Sequence, residues 1–394
     1  MIDVVGGVYS EVCLQPEWDQ LYGSAGRAAH ALSGVSSGVR LHTCIDDANR
    51  AQLEALAASF GAAVSAARIE RTIAFHYVHP LSVPIIVPPP HLIRTPTRLN
   101  VRADVILRFG MLEGDAIVAA DRVVYDPQSA YDPRPFAENG SSAKTLAIVA
   151  NGYELRMMTQ IDDPLAGAQE LLRLERAEVV VVKQGGRGAL VVTTRSQDHV
   201  PAYRSTSVFS IGSGDIFAAA FAHFWGEQEL APVEAANLAS RATARYCETK
   251  DARLVPRPEF ENDWTEPVTM RDGCAYLAGP FFNIAERWLV EEARAHLRSM
   301  GLRVFSPLHD VGRGPGDIVA AKDLAGLDHC DRVLALVDTR DPGTLFEVGY
   351  ARAKNLPVVF LAETLSNEEQ KMLVGTNCRR TDDFATALYM TAWS

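Results

Sequence analysis

Val333-Leu-Ala-Leu-Val-Asp-Thr-Arg-Asp-Pro-Gly-Thr-Leu-Phe-Glu-Val-Gly-Tyr-Ala-Arg352 falls into three parts. The apolar run Val333 to Val337 predicts a buried parallel strand. A polar turn, Asp338 to Gly343, follows it, and a helical pattern opens at Thr344. Thr344 is a natural N-cap, and Glu347 three residues later completes the pattern of a capping box. On that reading Glu347 serves only its own helix. The same residues allow another reading. Asp341 and Glu347 are carboxylates at the C-terminal end of a strand, where open α/β sheets place ligands. A carboxylate in the first turn of a helix is also held ionised by the helix dipole, which suits a nucleophile. The stretch alone leaves both open.

Outward from it, strand and helix signals alternate. The second half predicts strand Cys274–Ala278, helix Ile284–Ser299, strand Arg303–Phe305, a helix near Asp317–Leu327, strand Val333–Val337, helix Thr344–Asn355 and strand Val358–Ala362. That pattern is a doubly wound α/β domain. Between Lys250 and Asp272, the prolines Pro256, Pro258 and Pro267 and many charges read as a linker, set at 256–272. The domains are then 1–255 and 273–394. The first half predicts strands Ile2–Val5, Val39–Cys44, Val105–Phe109, Ala116–Ala120, Arg122–Tyr125, Thr145–Ala150, Val179–Lys183 and Ala189–Thr193. Its helices are Gly23–Leu32, Ala48–Phe60, Ile216–Trp225 and Pro232–Cys247, and the proline-rich 83–91 reads as an extended connection. A mostly parallel sheet follows.

The 394 residues suit two domains. A net charge of −11 and a pI near 5.4 argue against broad binding to nucleic acid or anionic membrane. Cys13, Cys44, Cys247, Cys274, Cys330 and Cys378 contain no C-x-x-C pair, so neither a disulfide framework nor a zinc site is expected, and a reducing cytoplasm is. The chain opens directly on a strand, which leaves no room for a signal peptide, and no apolar run reaches a membrane span. Isolated histidines such as His30, His76 and His309 read as ordinary surface or core residues.

In the first half, Ser210-Ile-Gly-Ser-Gly-Asp-Ile-Phe-Ala-Ala-Ala-Phe221 places Gly212, Ser213 and Gly214 before a helix N-terminus, an anion cradle suited to phosphate. Asp215 stands at its mouth, where a base accepts a proton from an attacking hydroxyl. With Asn151-Gly-Tyr-Glu154 and Val180-Val-Val-Lys-Gln-Gly-Gly-Arg-Gly188, in this order, residues 1–255 resemble the ribokinase-like (PfkB) family of carbohydrate and nucleoside kinases. The resemblance implies an αβα fold, ATP and magnesium as cofactors, and Asp215 as the catalytic base. It also implies that Glu154 helps organise the magnesium, with Asn151, Lys183 and Gly185 at the nucleotide. Two departures stand at the acceptor end. Glu11 is the nearest match to the family's sugar-gripping aspartate, and Gly23-Ser-Ala-Gly-Arg-Ala-Ala-His30 lacks the family's asparagine. Little chain separates them, so the usual lid hairpin is expected to be missing, and such a kinase admits water.

In the second half, Tyr276-Leu-Ala-Gly-Pro-Phe-Phe-Asn283, Asp323-Leu-Ala-Gly-Leu-Asp-His-Cys-Asp331 and Asp341-Pro-Gly-Thr-Leu-Phe-Glu-Val-Gly-Tyr-Ala351 come in turn. Taken together, they resemble the nucleoside 2-deoxyribosyltransferase family over about 273–378. The resemblance implies a flavodoxin/Rossmann-like fold without a cofactor, Glu347 as nucleophile and Asp341 as the sugar contact. Asp323 then manages the base, and Tyr276 holds Glu347 by a hydrogen bond. Gly279, Phe281 and Phe282 are expected at the substrate, Gly279 because it allows close backbone approach. Asn377 is the loose match to an asparagine lent to a neighbouring subunit, which implies a homo-oligomer. Gly279-Pro-Phe-Phe282 lacks the Ser/Gly-rich loop of relatives that act on monophosphates, favouring an unphosphorylated nucleoside. The joint expectation is an enzyme that acts on nucleosides and free bases and is coupled to a kinase-like domain that binds ATP. The alternatives are a chain that is chiefly a nucleoside or sugar kinase, or a nucleotide sensor.

Overall fold

The computed structural model describes residues 1–93, 97–129, 131–262 (backbone only at 261 and 262) and 265–394, so part of the expected linker lies outside the described residues. Two compact units divide it, Met1–Ser205 with Phe209–Pro267, and Thr206–Val208 with Val268–Ser394. No described helix is long and apolar enough to cross a membrane.

The first unit is built on nine strands in the order Gln197–Val200, Ala189–Thr193, Val179–Lys183, Ser142–Asn151, Gly114–Asp126, Thr97–Phe109, Ile2–Val5, Val39–Ile45 and Ala63–Arg68. The last seven run parallel, and the first two are antiparallel at one edge. Apolar residues on one face pack with the helices Gly23–Ser33, Ser213–Phe221 and Pro232–Thr249. The predicted helix at 216–225 is two pieces, since Ser213–Phe221 continues as a π-helical turn, Ala222–Glu227.

The middle of this sheet departs from a strand–helix alternation. Thr97–Phe109 and Gly114–Asp126 pair in parallel, with Thr97 beside Gly114 and Phe109 beside Asp126. Only residues 110–113 join them, a reach of at most about 18 Å, whereas a straight 13-residue strand spans about 40 Å. Both strands therefore double back, and their register skips at the exposed corners Asp104 and Asp121. Ser142–Asn151 repeats the corner at Lys144, whose Nζ lies 2.7 Å from Asp121 Oδ1. The predicted strands at 116–120 and 122–125 are thus the two arms of one strand. Val101, Ala116 and Val118 on the first arms share a core with Ile106, Val123 and Ile148 on the second. Strand arms cover the sheet where a crossover helix is expected.

A second sheet corrects the expected loss of the hairpin. Ser10–Cys13 pairs antiparallel with Trp18–Leu21 and parallel with Ala74–Tyr77, which is paired in turn by Ile85–Val87 from the proline-rich stretch. The turn at 14–17 suffices for the first hairpin, and the other two strands come from residues far along the chain.

The second unit is a five-stranded parallel sheet ordered Arg303–Phe305, Cys274–Ala278, Arg332–Leu336, Val358–Leu361 and Arg379–Thr381. Alternate residues point to opposite faces. Tyr276, Val333, Ala335 and Phe360 meet Leu327, Val348 and Ala351 from the helices Gly316–Asp328 and Pro342–Ala353. The helices Ile284–Ser299 and Phe384–Ala392 lie on the other face. Ile284–Ser299 carries a true capping box between Asn283 and Glu286.

The expected cap at Thr344 is wrong. The helix begins at Pro342, and Asp341 is the N-cap, with Oδ2 accepting from Thr344 N at 2.7 Å and Thr344 Oγ1 at 2.9 Å. Proline lacks an N–H that the first turn does not need, which favours this frame. Glu347 is therefore one and a half turns into the helix, not in a capping box.

Candidate active sites

In the second unit, Tyr276 projects from the strand Cys274–Ala278, next to the middle strand, and is fully buried beneath the helix that carries Glu347. Its hydroxyl donates to Glu347 Oε1 at 2.7 Å, and its ring stacks on Phe305 at 5.5 Å. Glu347 is pushed up to about 7, first by burial and then by Asp323 and Asp341, while the Tyr276 hydrogen bond pulls it down. This overturns the expectation that the helix end holds Glu347 ionised, because the dipole acts mainly within the first turn. Burial also raises Asp323, and its Oδ1 is a buried oxygen without a hydrogen-bond partner. Tyr276, Glu347, Asp323 and Asp341 thus form one electrostatic cluster, with Asp341 also committed to its cap.

The other expected substrate residues have local explanations. A Cβ on Gly279 would meet Leu336 at 3.1 Å, so the glycine is needed for packing. Phe281 and Phe282 stack on each other at 5.5 Å, and Phe282 is 67% exposed. Asn377 is exposed, in the left-handed region at φ 63°, and its N–H caps Val374 O after the helix Lys371–Gly375. Asparagine tolerates that backbone well.

In the first unit a cavity of about 410 Å³ opens at the C-terminal ends of the parallel strands. Asn151, Glu154, Lys183, Gly212, Gly214 and Asp215 line it, with Glu11 beside them, while Ser213 and Gly185 lie outside the lining. Phe75, Tyr77 and Ile86 of the four-stranded sheet supply an apolar wall. Gly212, at φ 76°, precedes the buried helix Ser213–Phe221. Glu154 closes a capping box with Asn151, its Oε2 accepting from Asn151 N at 2.8 Å. Lys183 Nζ pairs with Asp126 Oδ2 at 2.5 Å. Burial pushes Asp126 up to about 7 despite the pull of Lys183.

Arg27, Asp126 and Gln128 were not among the expected site residues. Arg27 is 1% exposed and pairs with Glu11 through both terminal nitrogens and with Asp215 Oδ2 at 2.7 Å. Desolvation works against its charge, but Glu11 and Asp215 outweigh it and hold the guanidinium protonated. A Cβ at Gly212 would lie 2.2 Å from Arg27 Cζ, so the cradle glycine is also what admits this side chain. Gln128, at φ 38°, donates from Nε2 to Asp215 Oδ1 at 2.6 Å. Both oxygens of Asp215 are therefore occupied. The clue for Asp126 and Gln128 was the run Val123-Val-Tyr-Asp-Pro-Gln128, polar groups directly after a buried strand.

Removing Arg27 strands two buried carboxylates. Arg27→Met is expected to destabilise the first unit by about 3–5 kcal/mol, read as a lower urea midpoint. A midpoint within error of wild type would mean that Glu11 and Asp215 do not depend on this pair.

The geometry agrees with what sequence comparison finds. The family described as nucleoside 2-deoxyribosyltransferase matches residues 275–377, and the pfkB family of carbohydrate kinases matches 115–258. Deoxyribokinases of Salmonella typhi and Salmonella typhimurium are each 33% identical over 81 residues, which is 20% of this chain and 26% of theirs. Among solved structures, ribokinase from Thermotoga maritima is 20% identical with a TM-score of 0.46, over 66% of this chain and 97% of its own. Fructokinase from Vibrio cholerae O395, bound to fructose, ADP and calcium, is 16% identical with a TM-score of 0.48, over 66% and 98%. The chain thus joins a pfkB carbohydrate kinase domain and a nucleoside 2-deoxyribosyltransferase domain in one polypeptide.

Proposed function

We propose that the second unit breaks or exchanges the N-glycosidic bond of a (2-deoxy)nucleoside through a covalent glycosyl-enzyme on Glu347. The observation that carries this reading is the 2.7 Å hydrogen bond from Tyr276 to Glu347, with Asp323 and Asp341 close enough to raise Glu347 further. Cleavage develops positive charge at the anomeric carbon, and a carboxylate on the opposite face captures it. Asp323, raised by burial, is suited to give the departing base its proton. The oxygen of Asp341 not used by the cap is left to orient the sugar. Water or a second base then attacks the ester, so transfer and hydrolysis differ only in the acceptor. The test is to incubate the protein with a panel of nucleosides, with and without a second base, and to separate the products. No released or exchanged base from any of them removes the reading.

Glu347 must be ionised to attack. With its pKa near 7, base release is expected to fall about tenfold per pH unit below that value. Tyr276→Phe removes the hydrogen bond that lowers the pKa, so the acid limb should move to higher pH. A limb that stays in place or moves to lower pH would separate Tyr276 from the ionisation of Glu347.

The first unit, on this proposal, phosphorylates a hydroxyl of a nucleoside or of the released sugar. The relatives named deoxyribokinase support the sugar, because hydrolysis of a deoxynucleoside would supply that acceptor on the same chain. Four carboxylates and two cations line the cavity, an excess suited to a divalent ion. Glu154 with Asn151 would hold magnesium, and Gly212 and Gly214 the phosphates, the metal offsetting charge on the transferring group. The occupied state of Asp215 favours a second reading, a nucleotide-binding domain without turnover. Tight ATP binding with no phosphorylated sugar or nucleoside would select it. We assign the domains as 1–255 and 273–394 in a cytoplasmic protein. Phe282, Ile284, Met372 and Val374 are apolar and exposed on the second unit, which supports a homo-oligomer.

A further inference from the structure

All six cysteines are free thiols, yet two of them touch. Cys274 Sγ and Cys330 Sγ are 3.0 Å apart, both side chains being buried. Their backbones are already joined next to that contact. Cys274 N donates to Asp331 Oδ2 at 2.8 Å, and Asp331 N donates to Cys274 O at 3.0 Å. The strand Cys274–Ala278 lies beside Arg332–Leu336 in parallel register. A bond between the sulfurs needs them to approach by about 1 Å, a side-chain rotation within a fixed frame.

We propose that Cys274 and Cys330 are a reversible disulfide site, closed by peroxides or small disulfides and reopened by thiols. With a peroxide, the Cys274 thiolate attacks one oxygen, forming a sulfenic acid and releasing water. The Cys330 thiol then displaces the sulfenic oxygen from Cys274 as water, and the two sulfurs together lose two electrons and two protons. With oxidised glutathione, Cys274 forms a mixed disulfide, and Cys330 expels the second glutathione as a thiol. Cys274 is the attacking group on two grounds. It is paired in register with Arg303, and its contact with Cys330 together with Arg303 holds it down at about 7 against burial, while Cys330 is raised.

The bond would close a loop across 56 positions of sequence. It ties the strand that carries Tyr276 to the start of the strand leading into the Asp341 turn. Cys274 and Tyr276 are two residues apart and so share a face, and Tyr276 in turn donates its hydrogen bond to Glu347. The site therefore stiffens the strand that holds Tyr276 against the candidate nucleophile.

The test equilibrates the full chain in glutathione buffers from reducing to oxidising and counts thiols after denaturation. Six thiols are expected when reduced and four when oxidised, with peptide mapping placing the bridge at 274–330 and the thermal midpoint rising by about 4 °C or more. Cys330→Ser should trap Cys274 as a glutathione adduct, and Cys274→Ser should leave the remaining five as thiols. Six thiols at every buffer ratio, a bridge involving other cysteines, or a stable glutathione adduct in the wild type without a bridge would each overturn the proposal. Mapping on the wild-type chain decides it even where a serine variant folds poorly.

Discussion

Glu347→Ala is expected to abolish base release from a deoxynucleoside, lowering the rate by at least about 10³-fold, the scale of losing a nucleophile. The expectation rests on the other groups of the cluster being committed elsewhere, Asp323 to the departing base on the proposed mechanism. Tyr276 is held protonated, its pKa raised by burial and by Glu347 itself. Asp341 has one oxygen committed to Thr344. Glu347→Gln is the sharper variant, since the amide keeps the shape and still accepts the Tyr276 hydrogen bond while losing nucleophilicity. Wild-type chain quenched during turnover should carry one glycosyl unit on the peptide containing Glu347. Undiminished base release in both variants would remove the assignment. Unchanged ATP-dependent phosphorylation in either variant would show that the loss is confined to the second unit.

The second large effect is expected at Asp215. Asp215→Asn should lower ATP-dependent phosphorylation of a sugar or nucleoside by about 10²–10⁴-fold, the contribution of a general base. Asparagine fits the space but offers one acceptor where Arg27 and Gln128 now use two. Its NH₂ group must face one of those donors, so part of the change will appear as lower stability. Measuring nucleotide binding beside turnover separates the two. Retained binding with lost transfer is the base's signature, whereas loss of both would mean that the Arg27 network has collapsed. Base release by the second unit should be untouched.

Legibility in the sequence followed burial. Strands Cys274–Ala278 and Val179–Lys183 lie where the apolar runs predict, because a strand covered on both faces must be apolar almost throughout. The pairing of Tyr276 with Glu347 was legible only through the order of three motifs. The cap was misread because Asp341 and Thr344 both suit the position, and Pro342 was the residue that decided it. Arg27 was hidden because an arginine on an alanine-rich helix ordinarily reads as exposed, and nothing local shows that Glu11 and Asp215 converge on it. The doubled strands were invisible because each arm has the period of an ordinary strand. The corners Asp104 and Asp121 look like any polar break.

Those doubled strands bear on how the chain acquires its fold. In an ordinary parallel sheet each neighbour arrives after a crossover of a dozen or more residues. Here every partner lies 17 positions along, from Thr97 with Gly114 to Phe109 with Asp126. The entropy of closing so short a loop is small, and one such closure aligns both arms at once. Contacts of low sequence separation form early. Gly110, Leu112 and Asp126 of this segment line the cavity of the first unit, so the parallel pair of lowest sequence separation in that unit also builds part of its candidate site.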